Sequence, residues 1–346
     1  MKPRCVAPRQ PKVVGIDVFC GAGGMSRGLQ RAGVRIVCGI DNDPLVVKTY
    51  RRNVHRRVIC GDVRDVTATR LRPLIPRRAR LIMAVCAPCQ PFSKVRKSGK
   101  RRPDRELLLE VGRLVRSLRP DGLIIENVPQ ISRSDSKGVL GRFKRMLKSA
   151  GYSFVIGTLD AKHFGVPQTR ARLVLLAVKG RDRDVDLPRA RGTPFRTVRD
   201  AIEGLPVLRA GGTSASHPHH VAARLSDANL ARMKATPKDG GDSRSWPRKL
   251  RLPCHVRSEG FYDVYGRMHW DQPAPTLTTR CQSLSNGRFG HPTQRRAISL
   301  LEAALLQTFP KRYRFEGNQA DIARQIGNAV PIQLARALAA SLIRQL

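Results

Sequence analysis

The sequence predicts an α/β protein, a mostly parallel sheet with helices on both faces, joined to a smaller loop-rich region. Three observations predict it. Short β-rich apolar runs alternate with amphipathic stretches through residue 178. The ends of the first three runs carry Gly and Asp, the residue types that open α/β sheets place around ligands. After Val178 the alternation stops and Gly, Pro, His, Arg and Ser dominate to about residue 290.

Val13–Phe19 reads as the first strand, followed by a glycine turn and a helix over Met25–Ala32. Arg35–Ile40 is a second strand, with a helix starting near Pro44, and Val58–Cys60 a short third. Leu81–Val85 and Leu123–Ile125 are further strands, separated by helical spacing of Leu and Val over Glu106–Leu118. Gly138–Ser149 reads as a helix, and Tyr152–Leu159 with Arg172–Val178 as a closing pair of strands. The stretch that follows is either a loop-built unit or a disordered insert. Trp246, Phe261, Tyr262, Tyr265 and Trp270 favour order, because disordered segments are poor in aromatics. Helical periodicity returns at Ile298–Thr308 and at Ile332–Arg344, the latter expected to pack back on the first unit.

The 346 residues are enough for one large core and a smaller one. No apolar run approaches the roughly 20 residues that span a bilayer, and Met1–Lys12 lacks the apolar stretch of a signal peptide. A cytoplasmic protein with no membrane partner is expected. Lys and Arg number 65 against 26 Asp and Glu, a net charge of +39, and such a field attracts polyanions, nucleic acid first. An arginine-biased composition gives the same balance. The eight cysteines are scattered and read as reduced thiols, one of them reactive. Cys86-Ala-Pro-Cys89 is the one CxxC, and Cys254-His255 stands alone, so no structural metal site is expected. His217, His219 and His220 read as part of a polar loop.

The first chemical motif is Asp17-Val-Phe-Cys-Gly21-Ala-Gly23-Gly-Met-Ser-Arg-Gly28, between a strand and a helix. Glycines there allow a tight turn and close approach of a cofactor. Ser26 stands where a dinucleotide site has its third glycine, which disfavours a nicotinamide cofactor. Asp41, some 20 residues on, is where an acidic side chain holds ribose hydroxyls. Asp62 and Val63 end the third strand, within reach of an adenine amino group. Singly, each is equally a tight turn or a helix cap. Together they point to an adenosine-containing cofactor.

The second motif is Ala87-Pro-Cys89-Gln-Pro-Phe-Ser93 after the Leu81–Val85 strand. Prolines on both sides of the Cys-Gln pair make a stiff turn that presents a thiol. Glu126-Asn-Val-Pro129 follows the next strand and adds a carboxyl group at the same edge. Gln168-Thr-Arg170-Ala-Arg172 places two guanidinium groups two residues apart, hence on one face of a strand. The plain alternatives are a buried structural cysteine and an arginine pair that is solvated or meets phosphate.

In this order the motifs resemble the DNA (cytosine-5)-methyltransferase family, in its compact bacterial form usual in restriction–modification systems. The matching segments run from Asp17 to Pro331: FCGAGG, IDND, GDV, PCQPFS, ENV, QTRAR and Gly327-Asn328-Ala-Val-Pro331. The resemblance implies a Rossmann-like S-adenosylmethionine-dependent methyltransferase sheet in residues 1–190, completed by 296–346. A loop-rich target-recognition domain would occupy 191–295. It implies Cys89 as nucleophile on carbon 6 of an extruded cytosine, Glu126 as proton donor to ring nitrogen 3, and Arg170 and Arg172 as the cationic setting. S-adenosyl-L-methionine would be the methyl donor, lined by Phe19, Gly21, Gly23, Asp41, Asp62, Val63 and Asn328. Asn127 would brace its turn. The basic segment from Ser93 through Arg96, Lys97 and Arg101 would contact DNA phosphates, and Thr276 and Leu277 would lie beside the flipped base. Double-stranded DNA is the implied partner of a monomeric enzyme, which is either paired with a cognate restriction endonuclease acting on the same site or an orphan methyltransferase. Two departures stand out. Asn42 replaces a bulkier residue that stacks on adenine, and Leu301 replaces a common arginine.

Three other readings compete. A tRNA cytosine-5 methyltransferase keeps the chemistry, but its Cys-Phe-Thr tripeptide is absent. A catalytically inactive DNA-binding relative is opposed by Cys89, Glu126, Arg170 and Arg172 together. A nicotinamide-dependent reductase is opposed by the glycine spacing and the cysteine turn.

Overall fold

The computed structural model describes residues 13–88, 106–133, 138–190, 192–252 and 263–346. Seven strands form one sheet: β1 (Val13–Val18), β2 (Arg35–Asp41), β3 (Val58–Cys60), β4 (Arg80–Val85), β5 (Gly122–Asn127), β6 (Tyr152–Asp160) and β7 (Ala171–Lys179). Their order is β3-β2-β1-β4-β5-β7-β6. β1 to β5 run parallel, while β7 is antiparallel to both of its neighbours. The chain reverses direction across the sheet between β1 and β4, so the carboxyl ends of those strands open a crevice for a ligand.

Successive side chains on a strand point to opposite faces, and the sheet sorts them into two cores. Val14, Ile16 and Val18 share one face with Leu81, Met83, Val85, Leu123 and Ile125. Helices α4 (Leu107–Leu118) and α5 (Val139–Ser149), joining β4 to β5 and β5 to β6, cover it through Val111, Leu114, Phe143 and Leu147. Ile36, Ile82, Ala84, Ile124, Val174 and Leu176 face the other way. That face is covered by α1 (Gly24–Arg31) and by the last helix, α10 (Ile332–Ile343), through Leu29, Leu334, Leu338 and Leu342. The carboxyl-terminal helix therefore completes the second of these cores.

α2 (Pro44–Asn53) starts where expected, because Asp43 accepts from the amides of Leu45 and Val46 and Pro44 fits the first helical position. Residue 68 begins a one-turn helix, α3 (Ala68–Leu71). The loop-rich stretch is ordered where described, with α6 (Val198–Ile202) and α7 (Asp227–Ala235). Trp246 and Tyr265 meet edge-on at 5.6 Å in a small core with Met233, Leu284 and Ala297. Phe261 and Tyr262 lie outside the described residues.

Met268, Ala274, Leu277 and Phe289 pack instead with Leu300, Leu306 and Phe309, and with Ile326 of α9 (Gln319–Asn328). α8 (Leu300–Leu306) is held by a capping box between Ser299 and Glu302. α9 is not predicted by periodicity, although Asn318 and Asp321 cap it reciprocally. With little regular structure, this region satisfies its backbone through buried arginines. Arg267 donates to the carbonyls of Thr236, His291 and Met233, and Arg296 makes a two-pronged pair with Glu302 at 2.7 and 2.8 Å.

Candidate active site

The glycine turn is built by backbone geometry. Phe19, Gly21 and Gly23 all have positive φ, at 58°, 52° and 90°. Only glycine adopts that region freely, so the turn stores strain at Phe19. The two glycines serve different ends. A Cβ on Gly21 would project into open space, whereas one on Gly23 would strike Val54 at 2.4 Å. Gly21 thus leaves room beside the turn, and Gly23 lets α2 and the loop of Tyr313 pack against it.

Asp41 closes the turn from β2. Its Oδ2 accepts from the Gly21 amide at 2.9 Å and its Oδ1 from the Asp43 amide at 3.1 Å. Burial raises its pKa, opposed by those amide bonds. Asp62 ends β3 with its carboxylate on the Arg64 amide and guanidinium, both at 2.9 Å. Val63 turns its side chain into the core. Asn328 is exposed at the end of α9.

Motif reading did not single out the group beneath the turn. Asp17 is wholly buried, and its Oδ2 accepts from the Ser26 amide at 3.1 Å and hydroxyl at 2.6 Å. The Ser26 hydroxyl also meets the Tyr50 hydroxyl at 2.7 Å. Burial pushes the Asp17 carboxyl up to about 7, against the lowering effect of Ser26. Its Oδ1 has no hydrogen-bond partner among the described residues. Ser26, read from the sequence only as a missing glycine, is the anchor of the Asp17 carboxyl. An Asp-to-Ser spacing of nine residues across the turn is the signal that marks the pair.

The turn after β4 is tied to the end of β5. The Cys86 amide donates to Val18 O at 3.2 Å, and Asn127 Nδ2 donates to Ala87 O at 3.2 Å. Asn127 Oδ1 accepts from the Val128 amide at 2.8 Å, so one buried amide braces both turns. Ala87 precedes Cys89 by two residues. Cys89, Ser93, Arg96, Lys97 and Arg101 lie outside the described residues.

Glu126 is buried at the end of β5, opposite Val174 of β7. Arg172 Nε lies 2.9 Å from Glu126 Oε1. The N–H is not aimed at that oxygen, so the contact is an ion pair rather than an aligned hydrogen bond. Arg170 does not join it. Its guanidinium is buried and donates to the carbonyls of Leu277 at 3.1 Å, Gly327 at 3.0 Å and Ala329 at 3.2 Å. β7 begins at Ala171, and the two arginines meet different partners although they stand two residues apart.

The same clamp holds the Pro275–Thr279 segment. Leu277 N donates to Gln168 Oε1 at 3.0 Å and Thr276 Oγ1 to Thr169 O at 2.7 Å. Leu277 buries its side chain in the core shared with α8 and α9, while Thr276 is exposed. Of the histidines, His219 accepts from the Phe315 amide, and His220 lies between Ser299 Oγ at 2.9 Å and Pro206 O at 2.7 Å.

A family model for C-5 cytosine-specific DNA methylases matches residues 13–344. The chain belongs to that family. It is a DNA (cytosine-5)-methyltransferase. A Type II methylase of Herpetosiphon aurantiacus, M.HgiDII, is 41% identical over 335 residues, covering 95% of this methylase and 94% of the relative. The Type II methyltransferase M1.HphI of Haemophilus parahaemolyticus is 32% identical, covering 95% and 86%. Among solved structures, a prophage-encoded protein from E. coli described as a DNA modification methyltransferase superposes with a TM-score of 0.76 at 22% identity, covering 96% of this methylase and 99% of that chain. The Dnmt2 methyltransferase of S. pombe superposes at 0.67 and 17% identity, covering 96% and 99%. At those identities the likeness is one of fold.

Proposed function

We propose that this methylase transfers a methyl group from S-adenosyl-L-methionine to carbon 5 of cytosine in a short, specific sequence of double-stranded DNA. The observation that carries the reading is the bracing of two turns at one sheet edge. Asn127 bonds Ala87, and Arg172 pairs with Glu126, so the turn leading to Cys89 and a buried carboxyl share the end of β4 and β5.

The residues fit the methyl donor. Open space beside Gly21, the Asp41 carboxylate at the end of β2 and the Asp62 carboxylate at the end of β3 suit an adenosyl group with its two ribose hydroxyls. Phe19, Gly23 and the backbone of Val63 shape that site, and Asn328 borders it. When bound, S-adenosylmethionine supplies the sulfonium methyl.

Carbon 5 of cytosine is a poor nucleophile, and covalent catalysis splits the hard step into easier ones. The Cys89 thiolate adds to carbon 6 of a base extruded from the duplex. Glu126 gives a proton to ring nitrogen 3, relieving the charge that develops there. Arg172 holds that carboxyl in place. Carbon 5, then nucleophilic, would take the methyl that the bound donor supplies. Water takes the carbon 5 proton as the carbon 6–sulfur bond breaks to release the Cys89 thiolate, and ring nitrogen 3 returns its proton to Glu126. Arg170 acts as a positioning residue by clamping Pro275–Thr279 to the end of α9. Ser93, Arg96, Lys97 and Arg101 are assigned to DNA phosphates, and Thr276 to the flipped base. Relatives named as Type II methylases support a cognate endonuclease acting on the same site in the bacterial cytoplasm. The methylase acts as a monomer.

Bisulfite sequencing of DNA from cells expressing the chain tests the reading. Protected cytosines in one recurring short context are expected. Uniform conversion, or modification confined to tRNA, refutes it.

A further inference from the structure

The edge of the sheet opposite the candidate active site carries a second basic surface. Two adjoining hollows share His55 and Arg57. One is lined by Arg51, Arg52 and Arg56, the other by Arg35 and Leu74. Arg35 opens β2, and Arg57 precedes β3 and accepts from the Gly39 amide through its carbonyl. Both stand at the amino ends of parallel strands, whereas Asp41, Asp62 and Glu126 stand at the carboxyl ends. The arginines of this groove are all exposed.

Some arginines of this molecule meet carboxylates: Arg199 with Asp271 and Glu203, Arg244 with Asp242, Arg288 with Asp263. Here Arg52 pairs with Glu316, and among the described residues Arg35, Arg51, Arg56 and Arg57 have no carboxylate within ion-pair distance. The sequence holds no Asp or Glu from 44 to 61 or from 66 to 103. His55 adds a ring donor. Its Nδ1 accepts from the Arg57 amide at 3.1 Å, which leaves Nε2–H to point elsewhere.

We propose that this groove binds the phosphodiester backbone of duplex DNA outside the target site. Guanidinium forks suit phosphate oxygens. The positive edge runs on through Arg80, which opens β4, three strand spacings from β3. That is roughly 14 Å at the spacing of paired strands, about four base-pair steps of rise along one DNA strand. DNA is favoured over other polyanions because the family acts on DNA. A second grip on a neighbouring stretch holds the methylase on long DNA between sites. The groove's role rests on the family's DNA substrate and on none of the proposed catalytic roles.

The test compares the full-length chain with Arg35→Ser/Arg56→Ser/Arg57→Ser and with the milder Arg56→Ser/Arg57→Ser. The probe is poly(dA·dT), which contains no cytosine, titrated across salt concentrations. Removing one arginine from a phosphate lowers the slope of log affinity against log salt by about 0.9. The triple variant is expected to lose about 2–3 in slope and at least tenfold in affinity at about 0.1 M salt, and the double variant a part of each. On plasmid DNA, KM should rise while kcat stays unchanged. An unaltered slope in variants that unfold at the parent temperature overturns the proposal. So does a loss confined to binding of phosphatidylserine vesicles, which would assign the groove to a membrane. If the parent binds poly(dA·dT) through these arginines yet methylates no plasmid, the groove stands and the catalytic reading falls.

Discussion

Asp17 is a buried carboxyl with one oxygen bonded to Ser26 and the other bonded to no described residue. Its pKa of about 7 when folded, against 3.8 for an ordinary aspartate, makes it a titrating group at working pH. Between those values the folded chain holds a proton that the unfolded chain has released. Its contribution to stability is therefore full below about pH 4 and is lost as pH rises through 7, by up to about 1.4 kcal/mol per pH unit. Asp17→Asn should flatten the fall in thermal midpoint between about pH 5 and 7; an unchanged profile would show that another group sets it. Asp41 has a different task at the same turn, holding Gly21 and Asp43 by their amides. Asp41→Ala should weaken S-adenosylmethionine binding at least tenfold in calorimetric titration while DNA affinity changes by less than threefold. Equal losses would remove it from the ribose. The place of Asp41, at a strand end some 20 residues past a glycine turn, was legible in the sequence. Asp17, Ser26 and Tyr50 were not, because their partnership exists only once α1 and α2 dock on the turn.

Elements were legible where a period was long enough to read. β1 to β7 and α1, α2, α4 and α5 match their predicted spans within a few residues, since both faces of the sheet are buried and need continuous apolar runs. α7 and α9 were missed. Ser226 caps the first and Asn318 with Asp321 the second, but both helices are short and their apolar residues sparse. Capping residues were a better signal there than periodicity. The match between α1 and α10 depends on one small residue. A Cβ on Gly28 would lie 2.3 Å from the Ala335 Cβ and 2.7 Å from the Arg336 backbone N. Gly28→Ala must therefore push the two helices apart, at a cost of about 1–3 kcal/mol. A fall of several degrees in thermal midpoint is expected, and an unchanged midpoint would mean that the two helices separate without cost.

At the scale of the molecule, the loop-rich stretch and the carboxyl-terminal helices are held to the sheet by polar clamps as well as by apolar packing. Arg170 is the clearest. One guanidinium satisfies carbonyls from residues 277, 327 and 329, which are distant from it in the chain. No local pattern could reveal that, because every partner is long-range; spacing alone put two guanidinium groups on one face. Arg170→Lys keeps the charge but has no planar fork to reach three carbonyls. A loss of about 3 kcal/mol is expected from urea unfolding, since buried carbonyls lose charged donors. Methyl transfer should fall with it. Full stability in Arg170→Lys would limit the arginine to a local role. The bulk +39 charge was legible from composition, but the gathering of Arg35, Arg51, Arg52, Arg56 and Arg57 around two adjoining hollows came only with the fold.

Covalent capture by duplex DNA carrying 5-fluorocytosine at the methylated position is the most direct measurement, because fluorine blocks release of the thiol after methyl transfer. With S-adenosylmethionine present, the parent chain should form a denaturant-stable complex whose cross-linked peptide contains Cys89, and Cys89→Ser should form none while still binding the duplex. A complex mapped to another cysteine, or one formed equally by Cys89→Ser, would contradict the assignment.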